Sequence, residues 1–384
     1  MTDRFQWHPK ARLSAAGQEV GRAVPQGPVA DATAEGLAQV IGLPAFRVGA
    51  PDQPPPEEGR VPTFETLTSG STGTPRRIRR TQGSWIASFK VNAGLGIGPG
   101  ARVAVLGRLV HSLSLYGAIE GLHLGAAVHL LDTLRPDRQG RYLKQQRISH
   151  LYATPAQLRM LSEGQETLPD LQRVLVGGSK LDPALRGRFQ ALAPAAAICE
   201  FYGAAETSFI TLSDSATPAG SVGRPYPGVA LTLDAAGELW VKSPYLFMDY
   251  AGSPGGARWR DGWLSVGEIA RMEDGFLYLH GRAGRMVTVA DQNVFPEEIE
   301  ALIEAMPGIR RAAVLPMADT RRGHSLVAFV QGDSSTEPAV LASLRGQLGA
   351  TRAPKKLVWI QDWPALPSGK TDLRALEALL PWPA

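Results

Sequence analysis

Between residues 102 and 178 short apolar, β-branched runs alternate with stretches of helical period. The runs are RVAVLG (102–107), AAVHLLD (126–132), HLYAT (150–154) and RVLVGG (173–178), each closing on small or polar residues. They predict strands, and helices are predicted between them at Gly83–Val91, Leu115–Leu124 and Pro155–Ser162. Strands separated by helices imply parallel βαβ units in an open α/β sheet over about residues 62–215, where ligands bind beyond the carboxyl ends of the strands. From about 220 to 282 the texture turns to short strands broken by Gly/Pro turns (VALTLD, GELWVKS, GWLSVGE, GFLYLHGR), a smaller antiparallel or barrel-like unit. Beyond Arg282 the pattern is compact α+β. It predicts a strand at Met286–Val289, a helix at Pro296–Ala305, strands at Ala312–Pro316 and Ser325–Gln331, and a helix at Glu337–Leu348. Residues 1–60 are weakly patterned, with at most one helix near Asp31–Ile41 and the loop-like GAPDQPPPEEGRVP at their end. No internal repeat or low-complexity tract interrupts this order.

The fold class expected is therefore α/β. A large N-terminal domain (1–283) carries a mostly parallel sheet plus the small barrel-like β unit, and a smaller, mobile α+β domain (284–384) follows. The 384 residues and 44% apolar content suffice for a sizeable core. A net charge of +4 is too mild to make nucleic acid a main partner. The single cysteine, Cys199, excludes a disulfide framework and a cysteine-built metal site. The seven histidines never adopt H-E-x-x-H or another compact ligand spacing. No run approaches ~18 apolar residues, and MTDRFQWHPKAR has no apolar targeting segment, so a cytoplasmic chain without a membrane span is expected.

One run stands apart. LTSGSTGTPRRIRRT (67–81) crowds glycines and hydroxyl residues together, follows a strand-like stretch, precedes a helix and then turns basic. Glycines let backbone N–H groups converge on an anion, and Ser/Thr hydroxyls add donors, so the run reads as a phosphate cradle or a solvated linker. A P-loop is disfavoured, because no lysine follows the second glycine. SGKT (368–371) carries G-K-T, but Pro364 stands where the first glycine belongs.

Further motifs occur in a recognisable order, and the whole resembles the adenylate-forming superfamily: acyl-CoA synthetases, aryl-acid ligases, peptide-synthetase adenylation domains and firefly luciferase. TSGSTGTPRR (68–77) resembles T-S-G-S/T-T-G-x-P-K-G, GGSKL (177–181) resembles G-G-A-P-L, and FYGAAET (201–207) resembles Y-G-x-T-E. GELWVKSPYLFMDY (237–250) and DGWLSVGEIARMEDGFLYLHGRAGRMV (261–287) resemble the two family runs that follow. NVFPEEIE (293–300) and LPSGKTD (366–372) resemble the last two. The resemblance covers about residues 62–375. It implies ATP-dependent activation of a carboxylic acid through an acyl-adenylate, with AMP and pyrophosphate formed, then thioester formation with CoA. A carrier-protein phosphopantetheine is the alternative thiol, and a catalytically impaired nucleotide-binding protein is the alternative function.

The resemblance also implies roles. Thr68, Ser69, Gly70, Ser71, Thr72 and Gly73 form the phosphate cradle, with Arg76 as its basic residue. Gly178, Ser179, Tyr202 and Gly203 flank adenine and the acyl substrate. Glu206 is the Mg2+ ligand, hard oxygen ligation with bridging phosphates suiting that ion. Glu268 takes the ribose-binding position, Arg282 reaches ribose or phosphate, and Lys370 bridges the reacting carboxylate and the α-phosphate. His111 matches the gate near the acyl carboxylate, a buried core histidine being the competing reading. Arg76 replaces the family lysine and its fork is not an ammonium. Ala205 replaces the threonine before Glu206, with Thr207 a substitute only if the backbone shifts, and Glu268 replaces Asp. Gly284 stands at the hinge, and Asp291 replaces a glycine of the thioester-forming face, where a carboxylate repels CoA phosphates. Typical members carry roughly a hundred more residues before the glycine-hydroxyl loop, so the chain reads as a compact member like short o-succinylbenzoate–CoA ligases. HSLSLYG (111–117) lacks the Asp that pairs an amino-acid ammonium. An aryl, fatty or dicarboxylic acid is therefore expected, with ATP, Mg2+ and CoA or a phosphopantetheine thiol, in a chain that relatives suggest is a homodimer.

Overall fold

The computed structural model describes residues 3–68, 76–164, 166–252, 256–290, 292–319, 323–366 and 370–380. The chain divides into two compact units. The first is made of Met1–Thr232, Trp240–Val266 and Glu273–Leu277, and the second of Leu233–Leu239, Gly267–Met272 and Tyr278–Ala384.

The first unit is organised on a nine-stranded sheet. Its order is Arg224–Pro225, Ser208–Leu212, Ala197–Ala204, Arg173–Val176, His150–Ala153, Arg102–Val105, Ala127–Leu130, Arg12–Ala15 and Gln18–Val20. From Ala197–Ala204 to Arg12–Ala15 all neighbours are parallel. Strands covered on both faces need no polar alternation, which is why RVAV and RVLV are continuously apolar after their leading arginines. Two of the helices between them begin on side-chain caps. Thr154 and Gln157 form a reciprocal capping box ahead of Pro155–Glu163, and Asp182 accepts from Leu185 N–H ahead of Pro183–Leu192.

The N-terminal sixty residues are better ordered than their pattern predicts. Arg12–Ala15, Gln18–Val20, Val29–Ala30 and Ala45–Val48 are strands, and Phe5, Leu13, Phe46 and Val48 lie in the core with Phe64, Trp85 and Phe89. A five-stranded second sheet runs Asp249–Ala251, Arg76–Thr81, Thr63–Thr68, Ala45–Val48, Val29–Ala30. Beneath it Arg47 is fully buried and spends its donors on the carbonyls of Gly49, Ala50, Gln53 and Pro54 and on the Glu65 carboxylate at 2.7 Å. That network ties down the 49–54 loop, because leaving a buried guanidinium N–H unanswered is costly.

The glycine-hydroxyl run does not join a strand to a helix, as its sequence context suggests. Arg76–Thr81 is itself a strand, antiparallel to Thr63–Thr68 with Thr68 opposite Arg76, and the helix Gln82–Ala93 starts only after it. The described ends of the run, Thr68 and Arg76, are thus paired across two antiparallel strands.

The short-strand region contains a four-stranded sheet of Ala230–Leu233, Leu239–Lys242, Trp263–Ser265 and Arg258–Arg260, and the hairpin Glu268–Glu273/Phe276–Arg282 follows it. The second unit is α+β: Ile309–Asp319, Gly323–Gly332 and Lys356–Trp359 form a sheet packed with the helices Pro296–Glu304 and Glu337–Arg352. Among the described residues no helix is long and apolar enough to cross a membrane.

Candidate active site

The hairpin stem places the ends of the glycine-hydroxyl run, while Ser69, Gly70, Ser71, Thr72 and Gly73 themselves lie outside the described residues. Leu67, one residue before Thr68, bridges to His111. His111 is the N-cap residue of the helix Ser112–Leu124, and burial, assisted by Arg108, pulls its imidazole below the ordinary value. It is therefore a mainly neutral group at pH 7, set beside the start of the run.

The basic stretch after the run is largely structural. Arg77 donates to Pro54 O at 2.6 Å and lies 3.5 Å from Glu65. Arg79 forks onto Asp249 at 2.9 and 2.5 Å. Arg80 is buried and donates to the carbonyls of Ala205 and Tyr245 and to Ser208 Oγ. Desolvation pulls its guanidinium down to about 9, with the nearby Glu206 charge opposing. Arg76 remains, its guanidinium 5.8 Å from the centroid of the Tyr250 ring.

Glu206 sits at the tip of a second hairpin, between Ala197–Ala204 and Ser208–Leu212. Thr207 is fully buried and its Oγ1 accepts from Ala204 N–H at 2.9 Å, so it closes the turn and does not replace the hydroxyl missing at Ala205. Ala205 packs against the apolar group of Ile78, Phe247 and Leu264. Phe247 N–H donates to Glu206 O at 2.8 Å, and the Tyr250 hydroxyl donates to Glu206 Oε1 at 2.8 Å. Burial and the Glu206 charge push the Tyr250 phenol up, so it stays a proton donor.

Gly177, Gly178 and Ser179 follow Arg173–Val176 at its carboxyl end. A Cβ on Gly177 would lie 2.2 Å from the Phe201 ring, and Gly178 has φ +98°. Gly178→Ala should therefore cost about 1–2 kcal/mol in thermal or urea unfolding, because a side chain disfavours that backbone region. Tyr202 and Gly203 occupy the strand bearing the Glu206 hairpin, where the register shifts between them. Thr68, Arg76, His111 and Glu206 are thus tied into one constellation through Leu67 and Tyr250, and Gly177–Ser179 and Tyr202–Gly203 line neighbouring strand ends.

In the second unit Glu268 is buried and Arg282 Nε donates to its Oε1 at 3.1 Å. Burial pushes the Glu268 carboxyl up, while Arg282 and then Lys370 draw it back down. Lys370 is exposed, its carbonyl accepts from Leu366 N–H at 2.8 Å, and Ala365 pairs with Thr371 beside it. Glu268, Arg282 and Lys370 therefore belong together. Gly284 lies in the 3-10 turn Ala283–Arg285 with open space beside it, and Asp291 is outside the described residues.

Among the described residues no cluster of His, Cys, Asp or Glu forms a protein cage for a metal. A lone carboxylate such as Glu206 fits Mg2+ in another way, since that ion is commonly held by one or two carboxylates together with substrate phosphates. The residues that sequence reasoning missed are Arg80 and Tyr250. Arg80 was detectable, because it is in period-two phase with Ile78 on a strand. Tyr250 carried no such signal.

A family model described as AMP-binding enzyme matches residues 8–251, and one for the AMP-binding enzyme C-terminal domain matches residues 298–370. The uncharacterized acyl–CoA ligase YhfT of Bacillus subtilis is 32% identical over 337 residues, 84% of this chain and 69% of that protein. The fatty acid–[acyl-carrier-protein] ligase ScoC of Streptomyces coeruleorubidus is 28% identical over 353 residues, 82% of this chain and 67% of that protein. The fold is shared with the o-succinylbenzoate CoA synthetase MenE of Bacillus subtilis in complex with the acyl-adenylate OSB-AMP. The TM-score is 0.73 at 21% identity, over 82% of this chain and 68% of that one.

Proposed function

This chain belongs to the AMP-binding enzyme family and is an AMP-forming ligase, and on that premise we propose that it activates a carboxylic acid for transfer to a thiol. A carboxylate oxygen attacks the α-phosphorus of ATP, and pyrophosphate leaves with the bonding electron pair. A thiol sulfur then attacks the acyl carbon, AMP departs and the thiol proton passes to solvent. The acid is aryl, fatty or dicarboxylic and the thiol is that of CoA.

The protein's part is electrostatic placement. The backbone N–H and hydroxyl groups of residues 68–73 hold the leaving pyrophosphate, and Arg76 adds charge beside them. Glu206 holds Mg2+, which supplies charge neutralisation on the phosphate oxygens. Tyr202 and the Gly178–Ser179 backbone flank the adenine, and His111, being neutral, meets the acid carboxylate without trapping it in an ion pair. Glu268 and Arg282 take the ribose, and Lys370 offers a point charge to the carboxylate and the α-phosphate.

The observation that carries this reading is the linkage of Glu206 to the glycine-hydroxyl hairpin through Tyr250 and Arg76. A carrier-protein phosphopantetheine is the second reading for the acceptor, favoured by the similarity to ScoC. Carboxylate-dependent exchange of labelled pyrophosphate into ATP tests adenylation. Exchange is expected with at least one member of an aliphatic, aryl and dicarboxylic panel. No exchange with any acid would leave a nucleotide-binding protein instead. Product masses with CoA and with holo carrier protein then distinguish the acceptors.

A further inference from the structure

We propose that Tyr250 is the positioning residue that aims Glu206 at the metal, an inference that rests on the reading of Glu206 as the Mg2+ ligand. Glu206 is half-exposed at a hairpin tip, and an unrestrained carboxylate there would sample several rotamers. It is held at two points by one short segment: Phe247 N–H grips its backbone carbonyl at 2.8 Å, and the Tyr250 hydroxyl grips Oε1 at 2.8 Å. That segment is itself fastened. Asp249–Ala251 pairs antiparallel with Arg76–Thr81, placing Tyr250 opposite Ile78, and Asp249 takes the Arg79 fork. The Tyr250 ring packs against Phe247 with centroids 4.9 Å apart.

The hydroxyl's orientation is also determined. The hydroxyl donates to Glu206 Oε1 at 2.8 Å, so the phenol proton is committed to that oxygen. One carboxylate oxygen is thereby occupied and the other is left for a cation. Arg80 supplies positive charge nearby, and its two terminal nitrogens donate to Ala205, Ser208 and Tyr245. The Arg76 guanidinium on the Tyr250 ring ties the clamp to the root of the glycine-hydroxyl hairpin. Partners that orient a metal ligand typically change metal affinity by 10–100-fold when removed.

The test is the enhancement of ATP affinity by Mg2+, taken as the ratio of dissociation constants by calorimetry in EDTA and in saturating Mg2+. Tyr250→Phe should leave ATP affinity in EDTA unchanged and lower the enhancement about 10-fold or more. Tyr250→His, which keeps an N–H donor, should restore part of it. Glu206→Gln should abolish the enhancement. If Glu206→Gln does so while Tyr250→Phe keeps the full enhancement, the clamp is overturned and the Mg2+ role of Glu206 stands. If Glu206→Gln keeps the full enhancement, both fall. If Tyr250→Phe loses ATP binding in EDTA and Tyr250→His behaves identically, the tyrosine serves only folding and the proposal is again overturned.

Discussion

Lys370→Ala should lower carboxylate-dependent pyrophosphate exchange about 10²–10³-fold, the usual loss when one preorganised charge or donor at a developing anion is removed. The effect should appear in kcat more than in the KM for ATP. Around Lys370, Leu366 N–H donates to Lys370 O, Ala365 pairs with Thr371, and Trp363 Nε1 donates to Thr371 Oγ1 at 3.1 Å. None of these contacts uses the lysine side chain. Glu268 keeps Arg282 at 3.1 Å after the substitution and should still serve the ribose. The second half-reaction breaks a mixed anhydride and needs no help with a triphosphate, so the variant should convert a supplied acyl-adenylate to thioester at nearly the parent rate. Exchange at the parent rate would remove Lys370 from the adenylation step. Equal loss in both halves would point to damage of the second unit.

The parallel strands were legible because burial on both faces leaves nothing polar in RVAV or RVLV after the leading arginine to confuse the pattern. The first sixty residues were not, because strands of two to four residues such as Val29–Ala30 and Arg12–Ala15 are too short to show any period. Their apolar side chains complete a core built elsewhere: the Phe5 ring lies 5.1 Å from that of Phe64 and 5.8 Å from that of Phe89. RRIRRT reads as a basic end to the glycine-hydroxyl run, since a binary pattern counts every arginine as exposed. Burying Arg80 requires carbonyl and hydroxyl acceptors more than a hundred residues away, which no local window contains. The site shows the same division. Glu206 was found because its neighbours in sequence form a motif. Tyr250 was missed because its hydrogen bond to Glu206 spans a separation of 44 residues.

Glu120→Gln should gain stability relative to the parent chain as pH rises from 5 to 8, because the glutamate's own contribution is lost over that range. Glu120 lies on the buried face of the helix Ser112–Leu124, one turn after Tyr116, and is fully inaccessible. Its described partners are neutral. Asn92 Nδ2 donates to Oε1 at 2.9 Å, the Tyr152 hydroxyl donates to Oε2, and Tyr116 and Tyr226 join through Asn92. Desolvation dominates and pushes the Glu120 carboxyl up to about 7 from an ordinary 4.5, with the hydrogen bonds opposing. Between those two values the folded chain keeps a proton that the unfolded chain has released. Its stabilising effect is therefore full below pH 4.5, declines as pH rises toward 7 and is gone above it, a span of about 3 kcal/mol. A neutral amide keeps one acceptor for Asn92 and offers a donor to Tyr152, so the variant should match the parent near pH 5 and exceed it at pH 8. Urea midpoints at the two pH values, with hydrogen-exchange protection of the Ser112–Leu124 amides as the local readout, check this. A difference between parent and variant that is the same at pH 5 and pH 8 would mean that Glu120 does not change its protonation in this range.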